Sequence, residues 1–184
     1  VDGTRPNDGV LLVASGDTLE MHFWTSEYKL VNWRPRLEVR YLLGQPPAPD
    51  TPTPTPTPAS TESPTPTPTE TVTPTGTVAV SEGEVVLQQG LEGYVGVADT
   101  TISEWQPTTS YGNSVKITAR QDGIRAALVR FDLSGLSAAL PAGAMVTGAT
   151  LEMYAVSRSN SGMLPVDVYP LLRPWAADQA TGGR

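Results

Sequence analysis

The middle of the chain, residues 46–77, most constrains what the whole can fold into, because Thr and Pro alternate almost without interruption at 51–58 and at 64–69. Proline fixes its own φ angle, lacks an amide hydrogen and pushes the preceding residue to extended geometry. Helix and sheet are therefore both excluded over this run. The sequence predicts an extended, polyproline-II-like linker that rises about 3.1 Å per residue.

Threonine next to proline at this density is also typical of O-glycosylated stalks. The sequence contains no Asn-x-Ser/Thr sequon, so any glycan is expected to be O-linked. An unmodified linker is the alternative. The candidate glycosylation sites are the threonines of the two most regular stretches: Thr51, Thr53, Thr55, Thr57, Thr65, Thr67 and Thr69.

The linker divides the chain into an N-terminal segment, 1–45, and a C-terminal segment, 78–184. The N-terminal segment is too short to bury a core of its own and should need a partner. Alternation of apolar and polar residues predicts short strands in both segments, and no helix longer than a turn or two. These strands fall at 10–13, 18–25, 36–42, 85–88, 93–98, 115–119, 125–133, 146–156 and 165–172. The predicted fold class is all-β, with jelly-roll-like β-sandwich segments on either side of the linker.

Composition excludes several classes of protein. A formal net charge of −7 argues against binding to the phosphates of nucleic acids. The absence of cysteine excludes disulfides and thiolate metal sites. No apolar run approaches the roughly 20 residues of a membrane span, so no membrane insertion is expected. The chain starts at Val1 without a basic and apolar leader, which suggests a mature or excised piece.

A set of motifs in the C-terminal segment occurs in a characteristic order: Asp99-Thr-Thr-Ile102, Tyr111-Gly-Asn113, RAALVRFDLS at 125–134, ATLEMY at 149–154 and Leu172-Arg-Pro-Trp175. Together they resemble the opening part of the DNRLRE-type β-sandwich domain. The N-terminal segment resembles the closing part of the same domain, through PNDGVLL at 6–12, Ser26-Glu27, Arg34-Pro-Arg-Leu37 and Val39-Arg-Tyr41. The resemblance implies an exported bacterial or archaeal surface protein with Thr/Pro-rich linkers, and some members of this family are classed as carbohydrate-binding modules.

The order of these parts is unusual, because the tail of one domain precedes the head of another and a middle stretch is missing. Three interpretations follow: an excerpt of a tandem array, a repeat numbered out of frame, or a piece whose halves complete neighbouring molecules. In the third interpretation, the C-terminal segment lacks its closing strands and exposes unpaired strand edges. The N-terminal segment of another chain could pair with these edges. Such pairing is head-to-tail and propagates into a filament.

Aromatic side chains are the usual platforms for sugar rings, and Trp24, Trp105 and Tyr111 are the candidates for carbohydrate binding or subunit contact. A structural role, plugging the ends of the sandwich, is the alternative for each. No catalytic residue is predicted, because His22 is the single histidine and lies in an alternating strand without a nucleophile motif. No metal ligands are assigned; a structural calcium ion stays open, although no calcium-loop spacing is present.

The sequence therefore predicts a non-enzymatic extracellular or cell-surface protein of prokaryotic type. The main hypothesis is a structural subunit of a fibre, filament or sheath, in which β-sandwiches are completed between chains. Its partners would be copies of itself and covalent O-glycans. The alternative is an array of carbohydrate-binding or adhesion modules whose partner is a polysaccharide.

Overall fold

The computed structural model describes residues 6–15, 19–44 and 81–183. The Thr/Pro linker and its seven candidate threonines lie outside the described residues. Ten strands are present in the described part: β1 Val10–Ala14, β2 Glu20–Trp24, β3 Arg36–Leu43, β4 Ser81–Gln88, β5 Val97–Ser103, β6 Lys116–Arg120, β7 Arg125–Phe131, β8 Ala144–Glu152, β9 Ala155–Arg158 and β10 Val166–Pro170.

Helical structure in the same residues is limited to single turns, a 3-10 turn at Val31–Trp33 and the α-helix α1 at Leu136–Ala139. Among the residues that the structure describes, no helix has the length and apolar character needed to span a membrane. This agrees with the alternating pattern of the sequence, which offers apolar residues at a period of two rather than 3.6.

The described strands form two sheets whose strands pair antiparallel. The larger sheet has the order β10-β1-β7-β6-β2-β9, with β5 also paired to β7, and the smaller one has the order β4-β3-β8. Inward-facing side chains of both sheets meet in one hydrophobic core, which includes Leu12, Leu87, Ile117, Val129 and Phe131. The predicted all-β sandwich is confirmed.

The strands of the N-terminal segment are inserted between strands of the C-terminal segment of the same chain. Strand β1 lies between β10 and β7, β2 lies between β6 and β9, and β3 lies between β4 and β8. In this structure the tail and the head therefore complete each other within one chain. Each inserted strand is paired on both edges, β3 along its whole length and β1 and β2 along part of one edge, so most of their backbone groups have strand partners.

This pairing corrects the expectation that neighbouring chains supply the missing strands. A segment on the same chain meets its pairing edges at a high effective concentration, so pairing within the chain is favoured over pairing between chains. The reason for expecting a filament is thereby removed for these strands, and assembly into a fibre is not supported. The division into domains at 1–45 and 78–184 stays a prediction.

The strand predicted at 146–156 is interrupted in the structure. Strand β8 ends at Glu152 and pairs with β3, whereas β9 begins at Ala155 and pairs with β2 in the other sheet. Residues 153 and 154 are the crossing between the two sheets, and the carbonyl of Tyr154 accepts a hydrogen bond from the Trp24 amide at 3.1 Å. The break therefore places Tyr154 beside the end of β2.

The core-facing side of the larger sheet is left uncovered by the described residues at its β10 edge. In the β1–β10 pair, Val168 lies opposite Leu12, so both side chains point to the same face of the sheet. Leu12 is 5% exposed, whereas Val168 is 58% exposed. The core thus ends at β1, and β10 forms an open edge.

A substitution in β1 tests whether the N-terminal segment belongs to the common core. Leu12→Ala should lower the free energy of unfolding by about 2–5 kcal/mol, because it leaves a cavity among packed side chains. The measurement is urea denaturation followed by tryptophan fluorescence, which reports on both segments. Leu172→Ala is the matched control, since Leu172 is exposed, and it should change the free energy by less than about 0.5 kcal/mol. Equal effects of the two substitutions would contradict the shared core.

Candidate functional site

Four aromatic rings lie in contact at the end of β2, and we call them the aromatic cluster: Trp24, Tyr28, Trp33 and Tyr154. Their centroids are separated by 3.7 Å from Trp24 to Tyr28, 5.8 Å from Tyr28 to Trp33 and 4.7 Å from Trp33 to Tyr154. The planes of successive rings differ by 12°, 5° and 5°. Three of the rings come from the N-terminal segment, and Tyr154 comes from the crossing between β8 and β9.

The turn that follows β2 fixes the position of Tyr28. Thr25 is fully buried and its hydroxyl donates to the carbonyl of Ser114 at 2.8 Å. The amide of Tyr28 donates to the carbonyl of Thr25 at 3.1 Å. The amide of Ser26 donates to the buried carboxylate of Asp99 at 2.7 Å. Local turn hydrogen bonds and contacts to the C-terminal segment therefore hold the ring of Tyr28 in place.

Arg34 joins this turn to the C-terminal segment. Its Nε donates to the carbonyl of Tyr28 at 2.6 Å, and its Nη1 donates to the carbonyl of Gln89 at 2.9 Å. The side-chain amide of Gln88 donates in return to the carbonyl of Arg34 at 2.9 Å. A guanidinium has five donors in a rigid fork, which suits it to hold two carbonyls at once.

Tyr154 also borders a cleft of about 400 Å³ on the outer face of the smaller sheet. Within it Arg36 pairs with Glu152 at 3.4 Å and with Glu38 at 3.3 Å. The Nε of Arg36 is buried and has no hydrogen-bond partner among the described residues. The polar side chains of the cleft are Asn32, Arg34, Arg36, Gln88 and Glu152, and its apolar lining is Val86, Leu91 and Met153.

An aromatic wall beside convergent polar groups is an arrangement that can hold a sugar. The C–H face of a sugar ring packs on a π face, while guanidinium, carboxylate and amide groups hydrogen-bond to its hydroxyls. Tyr154 is 45% exposed, so part of its ring is available to a ligand. The cluster and the cleft together form the candidate functional site.

The structure places the three predicted aromatic residues in two regions. Trp24 belongs to the aromatic cluster, where it is partly buried against Tyr28, and the Nζ of Lys116 lies 5.1 Å from its ring centroid. Trp105 and Tyr111 lie in the loop between β5 and β6. Trp105 is 56% exposed, and the hydroxyl of Tyr111 donates to Gln106.

Sequence reasoning did not select Tyr28, Tyr154 or the polar side chains of the cleft. Tyr154 lies within the single strand predicted at 146–156, and only the break after Glu152 places it beside β2. Tyr28 and Trp33 follow Trp24 without helical or strand spacing. An aromatic-rich stretch between two strands was the one signal that could have identified them.

The single histidine of the chain, His22, contacts neighbouring side chains through both ring nitrogens. His22 contacts Thr118 Oγ1 through Nδ1 at 3.0 Å and Glu20 through Nε2 at 3.1 Å. In the part of the chain that the structure covers, no three His, Asp or Glu side chains lie close enough together to hold a metal ion. The hypothesis of a structural calcium ion therefore has no carboxylate ligand set there.

A comparison with known families matches residues 93–183 to carbohydrate-binding module family 96. The chain thus contains a domain similar to carbohydrate-binding modules, which are non-catalytic binding domains. The matched residues run from just before β5 past β10 and include Trp105, Tyr111 and Tyr154. The DNRLRE type stays a prediction. No curated protein and no solved structure matched the chain.

The buried carboxylate that supports the Tyr28 turn should make stability depend on pH. Burial raises the pKa of Asp99 from 3.8 to about 6, and the hydrogen bonds from Ser26 only partly oppose this rise. The folded state therefore binds the proton more tightly than the unfolded state. The contribution of Asp99 is most favourable below about pH 4 and is lost as the pH rises toward about 6.

Asp99→Asn removes this ionisation and keeps an oxygen for the Ser26 amide. The free energy of unfolding of the variant should therefore exceed that of the wild type by more at pH 7 than at pH 4, as measured by denaturation at both values. Asp132→Asn is the control, because the Ser134 amide lowers the pKa of Asp132. Its free energy of unfolding relative to that of the wild type should therefore be lower at pH 7 than at pH 4. If the free energies of unfolding of Asp99→Asn and the wild type differ by the same amount at both pH values, this account is contradicted.

Proposed function

We propose that this chain is a non-catalytic carbohydrate-binding module that binds polysaccharide at the aromatic cluster and the adjoining cleft. The observation that carries the proposal is the position of Tyr154, whose ring belongs to the cluster and also lines the cleft. A sugar ring packed on Tyr154 would have the polar side chains of the cleft within reach of its hydroxyls. The match to a carbohydrate-binding family over residues 93–183 supports the same function.

The site is held in place before any ligand arrives. Arg34 fixes the turn that carries Tyr28, and Glu152 and Glu38 fix the guanidinium of Arg36. Pre-organised side chains reduce the entropy lost on binding, which is how a shallow site can still bind with useful affinity.

The remaining predictions from the sequence stand beside this proposal. An extracellular or cell-surface location and O-glycans on the threonines of 51–69 fit a module that is spaced from a surface by its linker. An array of such modules would bind with an avidity set by the length of the linker. A fibre subunit is not proposed, because the strands that were expected to pair between chains pair within one.

The first experiment is affinity electrophoresis in native gels that contain hydroxyethylcellulose, xylan, galactomannan, laminarin or polygalacturonate. At least one polysaccharide should retard the chain relative to a gel without polysaccharide. Isothermal titration with the retarding polysaccharide then gives the dissociation constant. Unchanged migration in every gel would contradict the proposed function.

Replacement of Tyr154 tests the site directly. Tyr154→Ala should weaken binding about tenfold or more, because truncation of a central aromatic contact costs on the order of 2 kcal/mol. The matched control is Tyr169→Ala, since Tyr169 is similarly exposed, at 50%, but lies on β10 away from the cluster. Equal affinities of the two variants would place the binding site elsewhere on the module.

A further inference from the structure

The outer face of β2 and β6 continues from the aromatic cluster toward Trp105. The register pairs Trp24 with Lys116, His22 with Thr118 and Glu20 with Arg120. The alternate residues Ile117 and Ala119 are fully buried, so the three pairs point away from the core. We call this row of three pairs the polar strip.

Direct contacts connect the far end of the polar strip to Trp105. The guanidinium of Arg120 lies 4.4 Å from the ring centroid of Trp105, and that of Arg125 lies 5.7 Å from it. Both arginines are paired with the carboxylate of Glu20, at 3.1 Å and 3.4 Å. Cation–π contacts with two arginines that are themselves held by Glu20 fix the orientation of an exposed ring.

The middle of the polar strip is also held by contacts along its length. His22 Nε2 lies 3.1 Å from Glu20, and His22 Nδ1 lies 3.0 Å from the hydroxyl of Thr118. His22, Arg120 and Arg125 are partly exposed, with 28%, 24% and 25% of their side chains accessible. The Nε atoms of Arg120 and Arg125 are buried and have no hydrogen-bond partner among the residues that the structure describes, so the accessible part of each side chain is not its Nε.

The two aromatic ends are too far apart for one sugar ring to contact both. From Glu20 to Trp24 the strand advances four residues, or about 13 Å. Trp105 lies beyond Glu20 at one end, and Tyr28, Trp33 and Tyr154 lie beyond Trp24 at the other. A ligand that uses both ends must therefore be a chain of several sugar residues.

We propose that Trp105, the polar strip and the aromatic cluster form one extended binding face for the internal part of a linear polysaccharide chain. This face lies on the outer side of the larger sheet, and the polysaccharide turns at Tyr154, in the crossing between the sheets, to reach the cleft on the smaller sheet. In this arrangement Trp105 stacks on a sugar residue distant from the one that Tyr154 contacts. Between them, the partly exposed side chains of His22, Arg120 and Arg125 meet the hydroxyls of the intervening sugar residues. This inference rests on the proposed function and adds to it the length and shape of the ligand.

The length of the oligosaccharide ligand is the variable that tests this proposal. Size-fractionated hydrolysates of the five polysaccharides used in the gels provide disaccharides, tetrasaccharides and hexasaccharides, whose dissociation constants are measured by isothermal titration. In the series that binds, affinity should rise about tenfold or more from the disaccharide to the hexasaccharide. Trp105→Ala should remove about tenfold of the affinity for the hexasaccharide and leave the affinity for the disaccharide unchanged.

Two further variants separate binding from folding. Trp105→Phe keeps an aromatic face and should retain part of the gain with chain length. Tyr169→Ala removes an aromatic ring of similar exposure outside the extended face and should have no effect. The thermal unfolding midpoint of Trp105→Ala should match that of Tyr169→Ala, because both rings are largely exposed.

Failure of the extended binding face and failure of the proposed function would give different results. Affinities that are equal at all chain lengths, or a hexasaccharide affinity that Trp105→Ala leaves unchanged, would overturn the extended face and leave the site at Tyr154 intact. Absence of binding in all five series would overturn the proposed function and this inference together.

Discussion

Pairing between the two ends of the chain is the interaction on which the rest of the structure depends. Strands β1, β2 and β3 each lie between two strands of the C-terminal segment, so neither segment has a complete sheet without the other. Each inserted strand forms backbone hydrogen bonds with two neighbours and brings apolar side chains to the common core. The candidate site is a product of this pairing, because Trp24 ends β2 and Tyr154 joins β8 to β9.

Apolar and charged side chains of the inserted strands lie on opposite faces of the sheets. Inward positions of the inserted strands are apolar, whereas their outer faces carry Glu20 with Arg120 and Arg125, and Glu38 with Arg36 and Arg40. Partly exposed ion pairs of this kind contribute little to stability. The pairs of Glu20 hold Arg120 and Arg125 in defined positions beside the ring of Trp105.

Sequence reasoning predicted most of the strands and the fold class, because period-two alternation survives in short segments such as 20–24 and 125–131. It could not predict which strands pair, since the pairing of β3 with β8 joins residues more than a hundred positions apart. The same limit applies to the site. The sequence names Trp24 as a candidate, but the burial of Trp24 depends on Tyr28, and the contact of Trp33 with Tyr154 depends on the break between β8 and β9.

A cysteine pair tests the pairing most directly, because the chain has no cysteine of its own. Leu42 and Met145 lie directly opposite each other on β3 and β8, at a spacing that a disulfide can bridge. The double variant Leu42→Cys and Met145→Cys should form its disulfide within one chain, run as a monomer on a non-reducing gel and keep the polysaccharide affinity of the wild type. Disulfide-linked dimers or polymers in dilute solution would show instead that the strands pair between chains.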